Sequence, residues 1–288
     1  MKNYFTLIIL PFFALSSCKE DITASWLKID TINLVTSPTT EGVNSHDISD
    51  AWVYMDNQPL GVWELPCEIP ILEEGTHDFK VYAGIKSNGI NATRIRYPFY
   101  KPHEFTLTLT KGKTIEYTPT VNYKSNLTFT GKEDFEDTGI IFTPGSFDTS
   151  KIEIITKVDY PNIVKYGDNC GKMTLTSIDS IVQVYTNLTL NLPQGPVFME
   201  IDYMNSNTFA VGLISQTATS FTVNDPFIQI NSQDENDLKW KKIYLDLTNY
   251  VSYISNPLYF EYYIVSSLDS DKTNGVVYLD NIKIVHFN

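Results

Sequence analysis

Apolar and polar residues alternate with a period of two through most of this chain. Val53 and Met55 alternate with Trp52, Tyr54 and Asp56; Phe79 and Val81 with Asp78, Lys80 and Tyr82; Phe105, Leu107 and Leu109 with Thr106, Thr108 and Thr110. Successive side chains of a strand point to opposite faces, so this period predicts strands with one face buried and one open. The abundance of Thr, Tyr, Val and Ile agrees, and the Gly and Asn clusters between the runs read as turns. No sustained stripe of 3.6-residue spacing with caps interrupts the pattern. The chain is expected to be all-β.

One segment departs from the alternation. Lys2 is followed by an apolar run from Tyr4 to Leu15, then Ser16, Ser17, Cys18 and the polar Lys19-Glu20-Asp21. A basic start, an apolar stretch too short to span a bilayer comfortably and small residues before the cut describe a cleaved secretory signal over residues 1–17. Leu15-Ser16-Ser17-Cys18 resembles the lipobox of bacterial lipoproteins. The resemblance implies that Cys18 is acylated and becomes the first residue of the mature chain, anchored in the outer membrane. Each buried methylene of such an anchor adds about 0.8 kcal/mol of membrane affinity. Lys19-Glu20-Asp21 is similar to the export signal that sends Bacteroidota lipoproteins to the cell surface.

The rest divides in two. Residues 18–25 read as a tether, 26–123 as one set of strands, the polar stretch from Lys124 to Asp134 as a linker, and 132–288 as a second set. In the first set come Val53-Tyr54-Met55-Asp56-Asn57-Gln58-Pro59-Leu60-Gly61-Val62 and Glu73-Glu74-Gly75-Thr76-His77-Asp78-Phe79. Gly61 and Gly75 suit the positive φ that hairpin ends require. This strand-turn-strand chemistry resembles PEGA-type surface modules and implies an immunoglobulin-like β-sandwich. The second set opens with Asp134-Phe135-Glu136-Asp137-Thr138-Gly139, passes through Gly167-Asp168-Asn169-Cys170-Gly171, and closes with Tyr278-Leu279-Asp280-Asn281-Ile282. In that order and spacing, with the strand led by Trp240, these pieces resemble jelly-roll carbohydrate-binding modules of galactose-binding-like fold. The resemblance implies a second β-sandwich that binds glycans without catalysis.

Charge narrows the partners. The 34 acidic residues against 21 basic ones give a net charge of −13, which repels phosphate backbones and argues against nucleic acid. With Cys18 lipidated, Cys67 and Cys170 are left in different domains. They read as buried free thiols, not a disulfide framework.

No catalytic constellation stands out. The four histidines, His46, His77, His103 and His286, lack metal-ligand spacing, and there is no nucleophile elbow. Acidic pairs such as Glu133/Asp134 or Glu200/Asp202 have the chemistry of a glycosidase, but chance pairs are expected among so many carboxylates. No cofactor is required. The jelly-roll resemblance implies at most a structural calcium held by Glu136 and Asp280, unless Asp280 only caps a turn.

Sugar recognition needs aromatic rings for C–H faces and polar groups for hydroxyls. In the strand after Trp240, Ile243, Leu245 and Leu247 share one face, and Trp240, Lys242, Tyr244 and Asp246 the other. With Tyr185, Glu200 and Asp202 on comparable faces, Trp240, Lys242 and Tyr244 form a candidate sugar platform; the alternative is that Trp240 covers the edge of the core. Arg94, Arg96, Tyr97 and Tyr100 form a basic aromatic patch fit for a protein partner, or else an edge strand whose arginines pair local carboxylates. Asp30-Thr31-Ile32 and Asp179-Ser180-Ile181 resemble Bacteroidota O-glycosylation sites, with Thr31 and Ser180 as acceptors. The sequence thus describes a lipid-anchored surface protein that binds a glycan or surface ligand, with an adhesin or an accessory subunit of a surface or secretion assembly as the alternative.

Overall fold

The computed structural model describes residues 23–145, 151–223 and 228–288. The apolar leader and Cys18 lie outside them. Among the described residues the chain is all-β, with two short helices, Pro38–Glu41 and Thr248–Tyr253. No helix among them is long and apolar enough to cross a membrane.

The first half is a β-sandwich. One sheet orders the strands Gln58–Glu64, Asp50–Met55 and Gly75–Lys86, and the last of these pairs beyond with both Arg94–Arg96 and His103–Leu109. Facing it, Ser25–Ile29 lies between Cys67–Ile71 and Thr114–Glu116, the latter parallel. The alternation identified the inward residues: Val53, Met55, Phe79 and Val81 are buried with Leu27, Ile29 and Ile85. Asp56 and Asn57, at φ 48° and 65°, make the hairpin turn, and Gly61 and Gly75 have φ of 137° and 100°.

The second half packs two six-stranded antiparallel sheets in a jelly-roll sandwich. Its core is lined by Met173, Leu175, Met199, Ile201, Ile243, Leu245, Leu279 and Ile284 from one sheet, and by Val182, Val184, Val211, Leu213, Tyr262 and Ile264 from the other. The longest strand, Asn274–Phe287, organises the first sheet. Along one edge it pairs with Val197–Asn205; along the other its first part pairs with Asn169–Thr176 and its second part with Leu127–Glu133.

That last pairing corrects the expected linker. Leu127–Glu133 is a strand, and its Leu127 and Phe129 pack against the core of the first half. The polar composition of residues 124–134 hid it, because this is an edge strand paired only with Asn274–Phe287 and most of its side chains are half-buried, so a continuous apolar run is not required. Phe198, Tyr244 and Val285 of the second half are buried in the same core as Tyr97, Phe99 and Tyr100 of the first. The halves meet in part through buried aromatic side chains.

Both remaining cysteines are unbridged; Cys170 is buried and Cys67 half-buried, and burial raises their thiols to about 12 and about 11. Neither is poised as a thiolate nucleophile at neutral pH.

Candidate functional site

The outward face of the sheet built on Asn274–Phe287 carries a row of ionic residues. Strand register sets Glu200 opposite both Tyr244 and Lys283, and Asp202 opposite both Lys242 and Asp280. Asp280 and Lys283 are an odd number of residues apart, which in a regular strand would put them on opposite faces. Asn281, at φ 47°, breaks the register there and brings both to the same face.

This face is covered by the first half. Tyr97 and Tyr123 both donate their hydroxyls to Glu200 Oε1, each at 2.7 Å. Lys242 Nζ lies 3.2 Å from Glu200 Oε2 and 3.6 Å from Asp202 Oδ1, and Lys283 Nζ lies 3.6 Å from Glu200 Oε2. Ser45 donates to Asp202 at 2.5 Å and accepts from Lys242 at 3.2 Å. Tyr100 and Tyr244 share a hydroxyl contact of 3.2 Å. Backbone bonds add to the join: Asn88 N donates to Tyr244 O at 2.8 Å, and Asp246 N to Asn88 Oδ1 at 2.7 Å.

Burial pushes the Glu200 carboxyl up, but Lys283, Lys242 and the two tyrosine hydroxyls outweigh it and hold the group at about 2. Burial lowers Lys283 to about 8 in spite of Glu200. Lys242 ends above its ordinary value, because Asp202 and Glu200 overcome its burial. Glu200 is therefore a buried charged group whose two oxygens are both met by hydroxyls or ammonium groups.

The expected open sugar platform is thus corrected. Glu200, Asp202, Lys242 and Tyr244 do share a face, but it is the interface between the halves, and their side chains do not offer a free surface. The basic aromatic patch is corrected likewise. Tyr97 and Tyr100 are buried, and what they meet is the second half of their own chain. Arg94 is held by Asp50, by Glu64 at 2.9 Å and by Asn91. Arg96 alone faces solvent, its guanidinium 4.9 Å from the Tyr82 ring centroid and 5.6 Å from that of Trp52.

Trp240 and Tyr185 end up on separate surfaces. Tyr185 lies on the outer face of the other sheet, beside Tyr263 with ring centroids 5.7 Å apart. Trp240 sits at the rim of the interface, half-buried, and donates its Nε1 to Ile163 O at 2.6 Å. Beside it opens a cleft of about 420 Å³ lined from the first half by His46, Asp47 and Lys86, and from the second by Lys165, Tyr166, Tyr203 and Trp240, with Lys242 at its base. A second cleft of about 530 Å³ shares Gly89, Tyr203, Lys241 and Ile243 with it and extends it past Asn88 and Asn231. The two form one groove along the junction. Tyr166 and Tyr203 carried no sequence signal of their own: the fold of the second half brings them beside Trp240, Tyr203 through the pairing of Val197–Asn205 with Lys241–Asp246 and Tyr166 from the loop before Asn169–Thr176.

Glu136 and Asp280, the expected calcium ligands, each accept backbone amides. Glu136 Oε1 accepts the amides of Asp168 and Asn169 at 2.9 and 3.0 Å, closing the loop before the strand Asn169–Thr176. Asp280 Oδ1 accepts the Asn281 amide at 2.7 Å, while Oδ2 is buried without a partner among the described residues. Among those residues no three His, Cys, Asp or Glu side chains cluster as metal ligands would. Glu133, of the acidic pairs, is spent on the amides of Phe135 and Ile141. Thr31 and Ser180 are both exposed outside the strands.

Two stability predictions follow from these carboxyls. Glu200→Ala leaves Lys242 and Lys283 buried without their shared partner, and a loss of about 3–5 kcal/mol is expected in urea unfolding. In the parent, Glu200's contribution is complete above the ordinary carboxyl range and declines as pH falls toward about 2. Asp280 runs the other way. Burial and the neighbouring Asp202 raise it to about 9, so between pH 4 and 9 the unfolded chain loses this proton and the folded chain keeps it. Asp280→Asn is expected to melt above the parent at pH 8, with the difference shrinking toward pH 4. A parent that is stabilised by added calcium, while Asp280→Asn is not, would instead make Asp280 an ionised calcium ligand.

No protein-family model matches the sequence, and no curated protein matches it. Several solved structures are similar in shape. One is a carbohydrate-binding module of family 28 specific for non-crystalline cellulose, 15% identical, with a TM-score of 0.38 over 52% of this chain and 89% of that one. A second comes from work on promiscuous specificity in the β-sandwich superfamily of such modules, 14% identical, TM-score 0.38, covering 82% and 85% of the two chains. A third is a family 29 module complexed with mannohexaose, 12% identical, TM-score 0.31, covering 56% and 91%. These three are carbohydrate-binding modules; at such identities and scores the likeness assigns neither a role nor a residue to this chain.

Proposed function

We propose that this chain is a non-catalytic, lipid-anchored surface protein that binds a glycan in the groove between its two sandwiches. One observation carries the binding reading: Trp240, Tyr166 and Tyr203 line a groove whose first cleft is otherwise polar apart from Gly89 and Ile243, and whose extension adds Ile90, Ile228 and Ile230 beside Asn88, Gln229 and Asn231. Aromatic faces cover the apolar side of a sugar ring while amides, carboxylates and ammonium groups meet its hydroxyls. The groove is built from both halves, so its shape depends on the buried ionic contact described above. Surface placement rests on the leader and on Cys18 with its lipobox-like surroundings. A second reading, contact with a protein partner, is favoured by the exposed Arg96 stacked over Trp52 and Tyr82.

Binding of the whole chain to a glycan array, followed by titration calorimetry on the best ligand, tests the groove. Tyr166→Ala and Trp240→Ala are each expected to weaken binding by about three- to ten-fold, as loss of one aromatic face would. Tyr185→Ala, on the far sheet, is expected to change nothing. The reverse result would move the site to the outer face around Tyr185. For the anchor, mass spectrometry of protein from its native membrane is expected to find Cys18 at the N-terminus carrying acyl chains; an unmodified thiol would remove that part of the proposal.

A further inference from the structure

We infer that the groove selects an acidic glycan, one bearing carboxylate or sulfate groups along its length. The inference deepens the glycan reading and rests on it. The protein as a whole is strongly acidic, with 34 acidic and 21 basic residues, yet the groove inverts that balance. Lys86, Lys165, Lys241 and Lys242 line it, and Asp47 is the one carboxylate among its lining residues. Lys242 is committed to Glu200 and Asp202 below the floor. Lys86, Lys165 and Lys241 form no salt bridge among the described residues, and Lys165 lies with its ammonium 5.0 Å from the centroid of Tyr166, one of the aromatic walls.

The origin of the three lysines makes the arrangement more than a surface accident. Lys86 closes the strand Gly75–Lys86 in the first half, Lys165 sits in the loop before Asn169–Thr176, and Lys241 opens the strand Lys241–Asp246. Three separate elements converge their positive charge on one cleft only because the halves are locked together. Ammonium groups left without carboxylate partners beside aromatic faces are suited to a ligand whose rings are flat enough to stack and whose substituents are anionic. A neutral glucan would use the rings and leave the three charges unanswered. In a field of net negative charge, this local positive strip is also where a polyanion would be drawn.

The test compares three hexasaccharide-sized probes on the whole chain: oligogalacturonate for carboxylates, a heparin oligosaccharide for sulfates, and cellohexaose as the neutral control. The expected result is that at least one anionic probe binds more tightly than cellohexaose, with affinity falling as salt is raised from 50 to 500 mM, as contacts screened beyond a Debye length of about 10 Å at 0.1 M would. The triple variant K86Q/K165Q/K241Q is expected to lose roughly ten-fold in affinity for that probe together with most of its salt dependence, while cellohexaose, whose hydroxyls the glutamine amides still meet, loses about two-fold at most. All three side chains reach solvent, and an unchanged melting temperature confirms that the variant folds. Which anionic probe binds distinguishes carboxylate from sulfate recognition. Preference for cellohexaose, lost in Trp240→Ala and untouched in the triple variant, would overturn charge selection and leave the glycan reading standing. Failure of the parent to bind any of the three probes or any arrayed glycan would overturn both.

Discussion

The structure depends on one buried carboxylate. Glu200 sits in the interior with two ammonium groups on one side and two tyrosine hydroxyls on the other, and it belongs to the second sandwich while both tyrosines belong to the first. Desolvating three charges is costly, and the geometry has to be complete to offset it. That requirement turns an otherwise greasy contact between two β-sandwiches into one with a single allowed registration. Apolar surfaces slide; a carboxylate that needs Tyr97, Tyr123, Lys242 and Lys283 at once does not. The groove, whose walls come from both halves, inherits its shape from this fixed registration.

Much of the local architecture was legible in the sequence. Alternation at Val53/Met55, Phe79/Val81 and Ile243/Leu245 gave the strands and identified the faces that became core. The Asp56-Asn57 turn and the positive φ of Gly61 and Gly75 were legible for the same reason, since backbone demands of hairpins are met by few residue types. Alternation also grouped Lys242 with Tyr244, and Glu200 with Asp202, correctly as companions on a face.

What covered that face was not legible. Periodicity says that two residues point the same way but is silent on what approaches from more than a hundred residues away. An aromatic and charged strand face reads as a binding platform when nothing covers it and as an interface when another domain does, and composition is nearly the same in the two cases. The Arg94–Tyr100 stretch suffered the same ambiguity: its tyrosines are indeed a partner patch, and the partner lies further along the same chain. The break at Asn281 was hidden too, because a residue in the left-handed region inverts parity and no spacing rule anticipates Lys283 beside Asp280.

The strand Asn274–Phe287 occupies the middle of its sheet and serves three neighbours drawn from positions as distant as Leu127. Until it is available, Leu127–Glu133 and Asn169–Thr176 have no common partner, and Phe198, Tyr244 and Glu200 lack the flank that completes their surface. A nascent chain emerging from its amino terminus would hold this sheet open until Asn274–Phe287 appeared, while the facing sheet, complete at Tyr259–Ser267, could already pair. Pairing over so long a span delays compaction, so the order of strands along the chain decides when this sheet, and with it the contact between the halves, can close.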